Sequence, residues 1–505
     1  MNAFALARPR IERARQSSGP LLLIVCLAQF MVILDVSIVN VALPSIRGSL
    51  HFSTVGLQWV VNAYTLTFAG FLLLGGRASD LFGRRRVFLG GTALFTFASL
   101  VCALSGSRGL LIGARSLQGI GAAVISPASL AILTTSFAEG RERNRALGFW
   151  GAIGGIGGAS GALLGGILTQ GLGWEWVFLV NVPVGAAVLA AGPRVIPEGR
   201  GQLAHRHLDL RGALLVTSGF VALVFGIVRT DTLGWGASGV LVPIAVGIML
   251  LLCFLLVEGK FSRAPLMPLW IFRMARLRAA NVVVLALYSA VFVMWFFLSL
   301  YAQEVLGFDA IQTGLGFVPM TLGVAFASSQ APRITARVGA RWTLTAGMLL
   351  AAAGLALLSG IAPGDSYAAS VLPGGVLSAV GLGLSLVPAT IVAVQGVPNG
   401  EAGLASGLLN TSRMFGGALG LAVLSTIASS RTQAQLLAGT DHLRALTDGY
   451  DLALLVGAAI CAAGAAAAAW MLRPATAATG VIAKSPALAR AAAEPHAAPE
   501  ARRCG

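Results

Sequence analysis

The chain has 505 residues, of which 56% are hydrophobic and only 11% charged, against about 25% charged in an ordinary soluble domain. Its mean hydropathy of +0.83 leaves more apolar surface than a water-facing fold can cover. That excludes a soluble multidomain enzyme and makes the lipid bilayer a partner, while the charge of +16 sits in short arginine clusters typical of topology-setting loops, with no nucleic-acid-binding arm.

A spanning helix takes about 20 predominantly apolar residues. The first candidate is 21–46, preceded by Arg8, Arg10, Arg13 and Arg15. It is too long for a signal-peptide core and contains Asp35, so it reads as a first span. Five more are predicted at 55–76, 87–104, 109–136, 146–170 and 174–193, and two at 210–229 and 239–258. The last six are 280–302, 311–330, 342–361, 370–394, 402–429 and 450–472. The fold class is therefore all-α integral membrane, with fourteen spans. The segment after Leu472, rich in Ala, Pro and Arg, reads as a disordered tail.

Loop arginines set the expected orientation. With the N-terminus inside, the inner segments hold Arg77 with Arg84–Arg86, then Arg141, Arg143 and Arg145, then Arg194, Arg200, Arg206 and Arg211. They also hold Lys260, Arg263, Arg273, Arg276, Arg278, Arg333, Arg337 and Arg341, whereas the outer ones hold only Arg47, Arg108, Arg229, Arg431 and Arg444. Both termini are expected in the cytoplasm. Lysine is confined to Lys260 and Lys484 while Arg, Ala and Gly abound. That coding bias fits a high-GC genome, and the site is read as a bacterial plasma (inner) membrane.

An internal repeat divides the chain. Gly76-Arg-Ala-Ser-Asp80-Leu-Phe-Gly83-Arg-Arg85, shifted by 256 residues, falls on Pro332-Arg-Ile-Thr-Ala336-Arg-Val-Gly339-Ala-Arg341. At a shift of 255, Gly161-Ala-Leu-Leu-Gly165 meets Gly416-Gly-Ala-Leu-Gly420. The expected domains are a six-helix half at 1–200, two inserted helices at 201–265, a second six-helix half at 266–473 and the tail at 474–505. Parallel repeats of this kind describe two-half secondary transporters.

Several functions lack their chemistry. No GxxxxGK[ST] loop surrounds Lys260 or Lys484, so an ATP-driven pump is not expected. Cys26, Cys102, Cys253, Cys461 and Cys504 form no CxxC pair, and the terminal Cys504 forms no prenylation box. His51, His205, His207, His442 and His496 all fall outside the spans. No metal, no cofactor and no enzymatic activity are expected.

Asp35 is the only acid deep in an apolar run, and so the first candidate for proton uptake and release, with a packed neutral acid as the plain alternative. Gln29 and Asn40, eleven residues apart, fall about 20° apart on a helical wheel, with Asp35 about 120° from Gln29. Glu304, at a helix end, is a weaker second acid. Arg115 is a charge in an apolar span, and Gln118 shares its helix face. Gln58, Asn62 and Thr65 recur at near-helical spacing beside Trp59 and Tyr64. Tyr288, Phe292, Trp295, Phe296 and Tyr301 decorate the first helix of the second half, and Asn410 and Arg413 lie in its fifth. Such aromatic walls suit flat apolar ligands, although aromatics in membrane helices more often pack or face lipid.

The loop Gly76–Arg86, with its Gly, Asp80, Gly83 and basic run, resembles the signature loop of the major facilitator superfamily. Leu34-Asp35-Val-Ser-Ile-Val-Asn40-Val-Ala-Leu-Pro44, Trp174-Glu-Trp-Val-Phe178-Leu-Val-Asn181-Val-Pro183-Val-Gly185 and Gly403-Leu-Ala-Ser-Gly407-Leu-Leu-Asn410-Thr-Ser-Arg413 are similar to motifs of its 14-helix drug/proton antiporters. The resemblance covers nearly the whole chain except the tail. It implies export of small hydrophobic compounds, neutral or cationic, in exchange for protons, by a monomer. A proton-coupled importer or a dedicated metabolite exporter is the alternative on the same scaffold.

The resemblance implies proton coupling through Asp35 and Arg115, with a structural arginine bonded to carbonyls and Gln118 as the competing reading. It implies a conformational switch at Gly76, Asp80, Gly83, Arg84 and Arg85, in which Asp80 links loop arginines to a helix end of the other half. It also implies a substrate cavity among Gln29, Asn40, Gln58, Asn62, Tyr64, Gln118, Tyr288, Trp295, Asn410 and Arg413. Gly154 to Gly166 matches the fifth-helix antiporter motif, with Gly157, Gly161, Gly165 and Gly166 expected in helix packing. It departs at Gly161-Ala162, where the family has Gly-Pro. The inserted pair carries no intramembrane charge and is expected to line no substrate path.

Overall fold

The computed structural model describes residues 8–137, 141–198, 209–262, 265–395, 397 and 402–472. The expected tail, Arg200, Arg206, Arg263 and the His205/His207 pair lie outside them. The described residues form helices and no strand: α1 (Arg8–Leu50), α2 (Thr54–Phe82), α3 (Arg84–Ala103), α4 (Arg108–Ser136), α5 (Arg141–Gly171), α6 (Trp176–Leu179) and α7 (Asn181–Val195). Then come α8 (Leu210–Leu233), α9 (Ser238–Leu256), α10 (Ala275–Leu300), α11 (Ala310–Val338), α12 (Ala340–Leu358), α13 (Leu372–Val394), α14 (Ala402–Leu437) and α15 (His442–Met471). A π-helical turn, Tyr301–Val305, prolongs α10, and α6 and α7 meet at Val180, whose backbone stays helical.

Helix occurs at each of the fourteen expected places, and twelve of these segments are long and apolar enough to cross a membrane. The other two, α5 and α14, hold equivalent places in the two halves. Both are glycine-rich and wedged between helices of both halves, so close packing replaces apolar bulk. On α9, by contrast, Met249, Leu252 and Leu256 are more than half exposed, an apolar face that suits lipid.

One expectation needs correction. The segment from Gly76 to Phe82 is the last part of α2, and the turn is Gly83 alone, at φ 101°. The charges Arg77 and Asp80 end the apolar run but not the helix, and just before them a Cβ on Gly75 would overlap the Ala123 carbonyl of α4. Gly75 thus serves the close approach of two helices. Gly83 itself occupies backbone space that other residues rarely adopt. Gly339, 256 residues on, repeats the device at φ 83° between α11 and α12.

The packing repeats as well. In the first half α1 lies on α5 and α7, α2 on α4, and α3 on α4 and α7. In the second, α10 lies on α14 and α15, α11 on α13, and α12 on α13 and α15. The halves meet through α5 against α11, α2 against α14, and α1 against α10. At Gly157, Gly161 and Gly165 a Cβ would press on Ile33, Ser37 and Ile38 of α1, and at Gly166 it would overlap the Ala310 carbonyl of α11. With Ala162 in place of proline, α5 stays helical throughout. Of the inserted pair, α8 packs on α2 and α14, where Phe220 stacks on Phe415 at 3.8 Å, and α9 packs on α8.

Candidate functional site

Asp35, on α1, is completely buried. Its Oδ2 accepts from Arg115 Nη1 at 2.6 Å, and its Oδ1 accepts from Gln118 Nε2 at 2.7 Å and Asn181 Nδ2 at 3.1 Å. Arg115 Nη1 also reaches Gln118 Oε1 at 2.6 Å, and its Nε donates to the Val60 carbonyl at 2.9 Å. Gln118 Nε2 donates further to Ser99 Oγ at 2.8 Å. Helices α1, α2, α3, α4 and α7 thus all contribute to one network. The guanidinium lies 4.4 Å from the Tyr64 ring centroid and 5.6 Å from that of Phe178, so aromatic faces close off its remaining surface.

A buried ion pair offsets its desolvation only when geometry is good and the spare lone pairs are satisfied. Both conditions hold here, because the carboxylate takes three donors. Removing a charge from either partner strands the other.

A second polar group lies in the other half. Arg413 of α14 donates from Nη1 to Asn410 Oδ1 at 2.8 Å and from Nη2 to Tyr288 Oη of α10 at 2.6 Å. Gln58 and Asn62 form a third: Asn62 Nδ2 donates to Gln58 Oε1 at 3.3 Å, both residues are fully buried, and Gln58 Nε2 and Asn62 Oδ1 lack partners.

The other expected cavity residues do not join these groups. Gln29 accepts from Ser129 of α4 at 3.4 Å, Asn40 donates to its own helix at Val36 and receives Ser299 on its carbonyl, and Trp295 meets Phe317 edge-on. Asn181 and Ser99 carry no expected role from sequence, although Asn181 stands as a lone amide within the quoted Trp174–Gly185 stretch.

At the Gly83 end, Asp80 pairs with Arg84 at 3.2 Å, while Arg85 reaches Glu198 at 2.7 Å and the Pro193 carbonyl at 3.2 Å. The bond Asp80 makes is thus within its own turn and not to the other half. Polar contacts between the halves concentrate at the opposite end. There Arg47 binds Glu304 at 2.6 Å, Ser299 Oγ donates to the Asn40 carbonyl at 2.6 Å, Gln303 Nε2 donates to the Val41 carbonyl at 3.0 Å, and Gln170 Nε2 donates to Asp309 at 3.3 Å. The second acid, Glu304, is therefore a link across the seam. No group of three His, Cys, Asp or Glu among the described residues is arranged to hold a metal.

The sequence profile of the Major Facilitator Superfamily matches residues 25–421. Over 418 residues the chain is 46% identical to a cephamycin export protein of Amycolatopsis lactamdurans, covering 81% of this chain and 85% of that protein. It is 39% identical over 425 residues to a puromycin resistance protein of Streptomyces alboniger, covering 83% of each. In fold it resembles an auto-inhibited POT family peptide transporter, at TM-score 0.65 and 15% identity over 90% of this chain and 99% of that one. It also resembles a bacterial homologue of the human lysosomal transporter Spinster in an inward-facing, unoccupied state, at TM-score 0.62 and 17% identity over 90% and 97%.

Proposed function

This chain belongs to the Major Facilitator Superfamily, and we propose that it is a proton-driven exporter of small hydrophobic compounds such as antibiotics. The relatives support the export reading, being named for cephamycin export and puromycin resistance. The observation that carries the coupling is the buried Asp35–Arg115 pair. A proton entering on Asp35 removes the carboxylate charge and frees Arg115, leaving it Gln118 and the Val60 carbonyl. That change is large for a site in low dielectric, and it acts where α1, α4 and α7 meet.

The seam supports alternating access. In this conformation the halves are tied at the Arg47–Glu304 end, which our orientation places outside, so the closed outer face is one of the two states. We read fourteen crossings, both termini in the cytoplasm, a monomer, and the domain division at 200, 265 and 473. The inserted pair fills the groove between α2 and α14 through α8 and lies outside the substrate path. Asp80 and its arginines act as the inner latch, forming their link to the other half in the alternate state.

One proton crossing about 100 mV releases about 2.3 kcal/mol, enough for about a 50-fold gradient of a neutral compound. The test is dye accumulation in cells expressing the chain, with and without an uncoupler. Lower accumulation that reverts when the proton gradient collapses is the expected result. Higher accumulation in expressing cells would mean import and overturn the direction.

A further inference from the structure

The two halves neutralise their buried arginines differently. Arg115 has a carboxylate at 2.6 Å. Arg413 pairs with no carboxylate among the described residues: two of its nitrogens meet the neutral groups of Asn410 and Tyr288, and its Nε is buried without any acceptor. Its guanidinium carbon lies 4.8 Å from the Tyr288 ring centroid.

Helix geometry says where this cation points. On α14, Gly416 and Gly420 press on Leu285 and Ser289 of α10, whereas Gly407 and Thr411 meet Leu73 and Ala69 of α2. Phe415 and Thr426 touch α8. At about 100° per residue, Asn410, Arg413 and Gly417 fall on the arc between the α10 and α2 strips, opposite the α8 contact. At the level of Asn410 and Arg413 that arc lies beside the α2 strip of the other half, whereas further along, from Ala428 to Gln435, α15 covers it. Phe292, packed on Gly417 and stacked with Tyr288 at 6.4 Å, continues it as an apolar surface.

The charge balance then selects a ligand. With Asp35 ionised, its pair with Arg115 sums to zero and Arg413 is left over; with Asp35 protonated, two cations are left over. A cationic solute would meet like charge in both states. An anion supplies the missing counter-charge, and a carboxylate is the acceptor that the unpaired Nε lacks. We propose that Arg413 recognises the exported compound and that this compound is an anion, a hydrophobic carboxylate. The proposal rests on the export reading and narrows its substrate class, against the cation left open by the sequence. It has an energetic corollary: a monoanion leaving while a proton enters moves two charges in the direction that an inside-negative potential favours.

The test uses one chromophore in three charge states: coumarin-3-carboxylate, its methyl ester and its aminoethyl amide. Each is offered to the full chain in proteoliposomes under an imposed pH gradient and potential. The wild type is expected to move the carboxylate at least about tenfold faster than the ester or the ammonium form. Arg413→Gln should bring the carboxylate-to-ester ratio to about one, and Arg413→Lys should keep part of the preference. Movement of the ammonium form or the ester as fast as the carboxylate by the wild type overturns the proposal without any variant. So does an unchanged ratio in monodisperse Arg413→Gln protein. If none of the three moves faster than through protein-free liposomes, the export reading itself fails and the inference falls with it.

Discussion

The first half of the molecule encloses a neutral ion pair whose carboxylate takes three donors, and the second encloses a cation whose partners are all neutral. The two halves share a packing scheme and a glycine turn, yet they diverge at the charges. The Asp35 carboxylate already has its cation, whereas the Arg413 cation has no carboxylate among the described residues. On the proposed function, the duplicated scaffold divides the labour, with the proton handled in one half and the solute recognised in the other.

The largest expected effect breaks the ion pair. Arg115→Ala leaves Asp35 buried and uncompensated, and should cost about 3–5 kcal/mol of stability. Arg413→Ala strands only neutral groups, and should cost about 1–2 kcal/mol. Unfolding midpoints in detergent rank the two, and equal losses would remove the contrast. A smaller effect is expected at the seam. Gly166→Leu must displace the Ala310 backbone of α11, disfavouring the outer-closed state by about 1–3 kcal/mol. Spin-label distances between α5 and α11 at that end should lengthen.

Local patterns carried much of the fold into view. Span positions and the repeat that aligns Gly83 with Gly339 depend on hydropathy and on the spacing of short motifs. The helical continuation past Gly76 did not show, because Arg77 and Asp80 end the apolar run there while the backbone stays helical to Phe82. At the candidate site, Asp35 and Arg115 each stand out as charges in apolar runs. Their pairing spans 80 residues, and that of Arg413 with Tyr288 spans 125. Such pairings depend on how helices cross, which no periodicity records. Asn181 was hidden for the same reason, since its role exists only once α7 lies against α1.

Smaller effects sharpen the comparison. Glu304→Gln removes a partly exposed ion pair with Arg47, worth about 0.2–1 kcal/mol after solvent screening. It should leave gradient-driven efflux within about twofold of wild type. A loss as deep as that from a change at Asp35 would move the proton site to the outer seam. Asp80→Asn should cost less than about 1 kcal/mol of stability. It should nevertheless shift the population toward the inward-open state, as distances across the Gly83 face would show.

The central claim is that Asp35 carries the coupling proton, and Asp35→Asn tests it most directly because amide and carboxyl have nearly the same shape. Transport by the variant is measured in proteoliposomes in two modes, driven by a pH gradient and as solute exchange at equal pH. The account predicts that gradient-driven transport falls to background while equal-pH exchange persists, since exchange needs no net proton movement. Gradient-driven transport at the wild-type rate in the Asn variant would contradict it.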